Sequence, residues 1–431
     1  MKKPLLKAVI AATSAAAGLS LTAVITGPAS PAVAAVRPAS TTVHIIQVNG
    51  TEPTEEAVAR RAAELITRHG GELRRVYHAA SQAFSVSLTE EQVNRYYADT
   101  RVDSITSDRV YRVAGRVTGE PRALRPSGAA GPALGGIQWS PPSWGLDRID
   151  QRDLPLDDVY AFPTSGAGVD TYIVDTGVRV GHQEFRGGRA HGAYDAITRR
   201  PGGDSDCNGH GTASAATAAG RWTGVAKAAT VRSVRAFGCD GTGTLEHIMS
   251  AVDWITAHAD GPSVVNLGFS GEPGSVLDLQ LYRMTELGIA YTAAAGNGDA
   301  SGQGVESCET TPARQTTAIT VAATDRDDRR PAWSNHGHCV HLFAPGTGIT
   351  TAGARGDSAY AVLTGTSAAT AEVTGAAALH LARHPDATPV ELDAALAAAA
   401  TRGHVGDAGP DSPDLLLHTG PARGTSGGGE R

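Results

Sequence analysis

Tyr172-Ile173-Val174-Asp175-Thr176-Gly177 closes an apolar run that begins at Val169 and ends it on a carboxylate. Comparable runs occupy residues 229–234, 263–267, 289–295 and 318–322, with helical segments between them. Strands that are apolar throughout have no polar face to turn to water. Alternating with helices, they predict a mostly parallel sheet covered on both sides. The fold class is therefore α/β, a mostly parallel doubly wound sheet flanked by helices, assigned to residues 138–419. Ligand sites in such sheets form at the carboxyl ends of strands, and Asp175 falls at one.

Residues 41–115 read differently. Segments 42–48, 73–77, 83–88 and 101–107 suit strands. Residues 54–69 place Val58, Ala62, Leu65 and Ile66 on one helical face, and Gly70-Gly71 stops that helix. Thr89-Glu90-Glu91-Gln92 is a capping box that opens a second helix. The order β-α-β-β-α-β predicts a small α+β ferredoxin-like domain, assigned to residues 36–115. Gly, Ala and Pro crowd residues 116–137, which read as an exposed linker. The Gly-, Ser- and Arg-rich residues 420–431 are expected to be disordered.

A length of 431 residues allows two or three domains and a large core. With 41% hydrophobic residues and only four cysteines, the chain is neither disordered nor a disulfide-dense miniature scaffold. Its net charge of −7 argues against nucleic acid or an anionic membrane as the main partner, because both call for a basic surface. Lys2, Lys3 and Lys7 precede an apolar stretch, and small residues with prolines follow up to Ala35. That is the layout of a secretory signal over residues 1–35. A membrane anchor is the alternative, disfavoured by the interrupting Thr and Ser and by marginal length. Export puts Cys207, Cys239, Cys308 and Cys339 in an oxidising compartment that favours two disulfides, with three pairings open. A zinc site is the other option, but no Cys-x-x-Cys spacing supports it.

Three motifs carry chemistry. Asp175-Thr176-Gly177 ends a strand, Asn208-Gly209-His210-Gly211-Thr212 opens a helix of small residues, and Gly365-Thr366-Ser367 opens a long Ala-rich helix. Each is weak alone. Asp-Thr-Gly is often a turn, a Gly-flanked His is often structural, and Gly-Thr-Ser is often an N-cap. Aspartic peptidases also use Asp-Thr-Gly, but they need two such carboxylates and this chain has one.

Taken together, in the order Asp, His, Ser on an α/β sheet, the motifs are specific. The sequence resembles the subtilisin-like serine peptidases, and within them the secreted proteinase K and aqualysin group. Residues 41–115 resemble that family's inhibitor-like prodomain, and Trp144-Gly145-Leu146-Asp147-Arg148-Ile149-Asp150-Gln151 resembles the start of its mature domain. The resemblance implies Asp175, His210 and Ser367 as the triad, with His210 as base and Asp175 orienting its ring. It implies Asn297, in Ala293-Ala294-Ala295-Gly296-Asn297, as a donor to the oxyanion. It implies Gly241, Thr242 and Gly243 on one side of an extended substrate and Gly268, Phe269 and Ser270 on the other. Ala294 and Gly296 would line the primary specificity pocket, where no fixed charge is evident, and Leu245 a more distal apolar subsite. The family pairing would be Cys207 with Cys239 and Cys308 with Cys339. Thr311-Pro312 matches a family position that often holds a cis proline.

Departures are equally legible. Ala213 and Glu372 stand where the family usually has histidines, and Ala368 where it has methionine. The two lost histidines are expected to have faced one shared region. The group's strong calcium site takes an Asp where this chain has His341, so that site is expected to be weak or absent. No cofactor is expected for catalysis. The implied protein is a monomeric, secreted serine endopeptidase with broad apolar or aromatic preference. Its partners are protein or peptide substrates and its own prodomain, acting as intramolecular chaperone and inhibitor and removed in the 116–137 linker. The alternative is a catalytically impaired peptide-binding relative.

Overall fold

A computed structural model describes residues 40–119 and 136–420. The expected signal over residues 1–35, most of the expected linker and the tail beyond residue 420 lie outside the described residues. Thr42–Val48, Glu72–Tyr77, Ala83–Leu88 and Val102–Ser107 form one antiparallel sheet with Thr42–Val48 and Ala83–Leu88 at its centre. Helices Glu55–His69 and Glu90–Tyr97 cover it, and the Thr89–Gln92 capping box is formed. Ile46, Leu65, Phe84, Val86 and Tyr96 make its core. This is the small α+β domain that the sequence predicts.

The main sheet runs Ala190–Asp195, Thr230–Arg235, Asp170–Asp175, Ser263–Leu267, Ala290–Ala294, Ile319–Thr324, Leu342–Pro345, Leu415–Leu416, Thr401–Arg402. Every neighbouring pair is parallel except the last. Both faces are buried. Ile173 points into one core with Ala215, Ala218, Ala369 and Ala376, while Tyr172 and Val174 point into another with Ile248, Val252 and Leu281. Helix Thr366–Leu381 is buried along its length apart from His380. A helix built mostly of small residues can lie close against a sheet, and this one does. The chain winds to one side of Asp170–Asp175 and then returns to the other, so the strand order reverses there. Asp175 thus sits at a topological switch point, the usual place for a ligand crevice in such sheets. Among the described residues no helix is long and apolar enough to cross a membrane.

Two small sheets follow the small domain, and the second departs from the expected linker. Val110–Val113 lies between Thr242–Thr244 and Phe269–Ser270, antiparallel to both. Arg116–Thr118, expected to be exposed linker, instead joins the hairpin Ile349–Ala352/Tyr360–Thr364 as a third strand. Turn residues dominate only from Gly119 onward. Val110 to Thr118 has the composition of an extended strand, and its partners are remote in sequence.

Cys207 is bonded to Cys239 and Cys308 to Cys339. Loops of this size contribute roughly 3–4 kcal/mol each on the loop-entropy model. The Thr311–Pro312 peptide is cis.

Arg148 is fully buried. Its guanidinium donates twice to Asp328, at 2.6 and 2.9 Å, and also to the carbonyls of Gln151 and Arg152 at 2.7 and 3.0 Å. Removing one partner of such a pair leaves the other charge buried and unpaired. Arg148→Ala is therefore expected to lower unfolding free energy by about 3–5 kcal/mol. Thermal and denaturant unfolding, with Ser367→Ala in both proteins to stop autolysis, measures the loss.

Candidate active site

Asp175, His210 and Ser367 meet at the carboxyl edge of the sheet. His210 Nδ1 lies 2.9 and 2.8 Å from the two Asp175 carboxylate oxygens, and His210 Nε2 lies 2.9 Å from Ser367 Oγ. All three residues are buried. Asp175 also accepts from the Thr176 N–H at 2.7 Å. The arrangement can pass a proton from serine to imidazole while a fixed carboxylate orients the ring.

His210 opens its helix without a capping side chain at Gly209. Asp206 serves instead, accepting from the N–H groups of Gly209 and Thr212 at 2.7 and 2.9 Å and from the hydroxyls of Thr176 and Thr212 at 2.9 and 2.7 Å. One carboxylate thus joins the end of the Asp175 strand to the start of the His210 helix.

Asn297 follows the strand Ala290–Ala294. Its Oδ1 accepts from both the N–H and the hydroxyl of Thr366, each at 2.9 Å. That fixes which end of the amide is the donor. Gly296 is held by Thr366 Oγ1 on its N–H and by Asn335, whose N–H donates to the Gly296 carbonyl at 3.0 Å and whose amide donates to Ala295. Thr366 and Asn335 are positioning residues that sequence reading missed. Both are polar and fully buried, which only the fold reveals.

The chain itself occupies this cleft. Val110–Val113 is hydrogen-bonded to the two edges expected to hold substrate. The Val113 N–H donates to Gly241 at 3.1 Å and the Ala114 N–H to Gly268 at 2.8 Å, with Thr242 opposite Arg112, Gly243 opposite Tyr111, and Phe269 and Ser270 opposite Val113 and Arg112. Tyr111 is fully buried in one cluster with Leu245, Phe237 and Phe269, and meets Phe269 edge-on at 6.1 Å. The Ala114 carbonyl oxygen then accepts from the Ser367 N–H at 3.0 Å. A Cβ built on Gly365 would lie 2.3 Å from that oxygen and 3.0 Å from Asn297 Nδ2, so both converge on one point that only glycine leaves free. A Cβ on Gly115 would lie 2.1 Å from Ser367 Oγ. The signal in the sequence was Val110-Tyr111-Arg112-Val113, an alternating strand running into the small residues Ala114 and Gly115.

Four-point docking fixes this strand. Glu246 accepts from Arg74 at 2.8 and 3.1 Å and from Ser85 at 2.7 Å, while its own N–H donates to Asp108. Burial opposes charge on Glu246, but the bonds from Arg74 and Ser85 and the charge of Arg75 outweigh it and hold the carboxyl below its ordinary range. Asp253 accepts from the N–H groups of His78, Ala79 and Ala80.

The model of the subtilase family matches residues 166–414, and that of the peptidase inhibitor I9 family matches residues 40–114. The chain belongs to the subtilase family of serine peptidases. It is 40% identical to an extracellular serine proteinase of Thermus sp. (strain Rt41A) over 84% of this chain and 82% of that one. It is 37% identical to alkaline serine exoprotease A of Vibrio alginolyticus over 77% of this chain and 58% of the relative. The crystal structure of a cold-adapted subtilisin-like serine proteinase matches with a TM-score of 0.62 at 40% identity, covering 65% of this chain and 98% of that one. Fervidolysin from Fervidobacterium pennivorans, at 18% identity and a TM-score of 0.68, shares the fold over 89% of this chain and 61% of its own.

His341, at the expected calcium position, accepts at Nδ1 from the Thr320 N–H at 3.3 Å, and its Nε2 lies 4.0 Å from Asp393. Among the described residues no three His, Cys, Asp or Glu side chains are grouped to hold a metal. Ala213 and Glu372 both border Trp144-Gly145. Ala213 belongs to a cluster against which Trp144 packs, and a Cβ on Gly145 would lie 2.1 Å from Glu372 Oε1.

Glu372 is fully buried, and its Oε2 has no hydrogen-bond partner. Burial pushes its carboxyl well above the ordinary 4.5. The unfolded chain ionises this group from that pH upward, while the folded protein keeps the proton. Stability therefore falls as pH rises above the unfolded value, until the folded group itself ionises. Glu372→Gln is expected to match wild type in acid and to gain melting temperature progressively as pH rises above the unfolded value. A pH series of thermal unfolding, in the Ser367→Ala background, reads that divergence.

Proposed function

We propose that the chain is the precursor of an exported serine endopeptidase that cleaves its own Ala114–Gly115 bond. The single observation that supports this most is the Ala114 carbonyl, seated on the Ser367 N–H beside a nucleophile already hydrogen-bonded to His210. In this reading His210 Nε2 takes the Ser367 hydroxyl proton as Oγ attacks the Ala114 carbonyl carbon. The Ser367 N–H and Asn297 Nδ2 receive the negative oxygen; losing one such donor costs roughly 3–4 kcal/mol of barrier, a figure established on a member of this family. Collapse of the intermediate breaks the bond to Gly115, whose departing amine takes the proton from His210. Water then releases Ala114 by the same steps.

The bond falls one residue ahead of the 116–137 linker first expected to hold the processing site. The inhibitor-family match ends at the same residue, Ala114. After cleavage, residues up to Ala114 remain as a product-like inhibitor held by Glu246 and Asp253. Foreign substrates replace them on the same two edges. Tyr111 fills the deep apolar subsite, which supports a preference for aromatic or large apolar side chains four residues ahead of the cut. The extracellular naming of the Thermus relative and the signal-like residues 1–35 support export. The imidazole at His341 supports loss of the family's strong calcium site, since a hard cation wants oxygen.

Two measurements follow. Expressed wild type is expected to shorten to a form with Gly115 at its N-terminus and to hydrolyse casein, whereas Ser367→Ala stays at the length left by signal removal. A new terminus elsewhere, or shortening of Ser367→Ala, contradicts the assignment. Chelation with EDTA is expected to leave the melting temperature of Ser367→Ala unchanged, and a large fall would reveal a strong calcium site.

A further inference from the structure

The segment after Gly115 is also held, by pairing on one side. Arg116, Val117 and Thr118 pair antiparallel with Thr364, Leu363 and Val362. Among the described residues, Tyr360–Thr364 has Ile349–Ala352 on its other side and no further partner, so without this segment it is an open sheet edge. An open edge is a template for an extended peptide. Of the three residues only Val117 is half-buried, with Arg116 and Thr118 exposed. Val117 stands opposite Leu363 and packs against a buried cluster of Ala213, Ile349, Leu363 and Ala368. Ala213 and Ala368 are the two smallest side chains of that cluster. Larger side chains there would compete with Val117 for the same apolar space. Beyond Val117, a cleft of about 410 Å³ continues past Thr118 and Gly119 toward Arg355 and Cys207, so a longer peptide has room to leave.

We propose that Leu363, Ile349, Ala213 and Ala368 form a subsite that selects a branched aliphatic residue three positions after the scissile bond, on a substrate strand paired to Tyr360–Thr364. The proposal rests on Ala114–Gly115 being the scissile bond. Ala213, Ile349, Leu363 and Ala368 make the floor of the subsite, and the Tyr360–Thr364 edge sets its register. Alternation along a strand turns the first and third of three successive residues away from that floor. Selectivity therefore falls on the middle one.

The test uses active protein purified after expression of the full chain, with internally quenched peptides of the sequence of residues 108–120. The parent peptide carries Val117, and others carry Val117→Ile, Val117→Thr and Val117→Gly. Apolar complementarity of this size predicts kcat/KM about tenfold lower for Gly, several-fold lower for Thr and unchanged for Ile. Thr is isosteric and equally strand-prone, so it separates apolar burial from strand propensity. In Ala368→Met enzyme the Val-to-Thr ratio is expected to shrink toward one. Equal rates for Val and Thr, with cleavage still at Ala114–Gly115, overturn the subsite and leave the peptidase reading intact. A parent peptide left uncut, or cut elsewhere, overturns both.

Discussion

The hydrogen bond from the Ser367 N–H to the Ala114 carbonyl, at 3.0 Å, is where the small domain's strand meets the candidate nucleophile. It forms only if the strand Val110–Val113 lies in register between Thr242–Thr244 and Phe269–Ser270. That register is set in turn by the small domain, whose Arg74, Ser85 and Asp108 close on Glu246 at the start of the helix Leu245–His258. The same helix carries Asp253, which collects three backbone N–H groups of the small domain. In the proposed function, inhibition and self-cleavage are two consequences of this one placement. A strand that fills the cleft blocks it, and the bond that crosses the nucleophile is the bond presented for attack.

The parallel sheet explains why so little machinery is needed. Asp175 ends, and Gly268 and Asn297 follow, three adjacent strands, Asp170–Asp175, Ser263–Leu267 and Ala290–Ala294. Their carboxyl ends bring a carboxylate, a substrate edge and an amide donor to one side of the helix Thr366–Leu381. Buried polar links then remove the remaining freedom. Asp206 joins strand to helix at His210, and Thr366 locks the Asn297 amide. Groups held this way need no reorganisation when charge develops. Glu372 is the counterexample, a buried carboxyl that nothing in the catalytic geometry uses.

Much of this was legible in the sequence because its signals are local. Apolar runs alternating with helices gave the sheet, and the Thr89–Gln92 box and the Val58–Ile66 face gave the small domain. The order Asp175, His210, Ser367 pointed to the site. What was not legible depends on contacts distant in the chain. Arg116–Thr118 looked like linker because it is short, exposed on two of three positions and next to a Gly/Pro-rich stretch. Its partner strand is more than two hundred residues away. Asn335 and Thr366 looked like ordinary polar residues until the fold buried them. Ala213 and Glu372 are expected to face one shared region. Both do border Trp144-Gly145, but Ala213 shares its apolar cluster with Ala368.

The central claim is that the precursor's own strand occupies its own cleft, so the first cut is intramolecular. The direct measurement is the rate of precursor shortening followed by gel or mass spectrometry after refolding at protein concentrations spanning a hundredfold dilution series. A cleft already filled in cis predicts a first-order rate constant that does not change with dilution. A rate constant that falls in proportion to concentration would contradict it, because cleavage would then depend on one molecule meeting another.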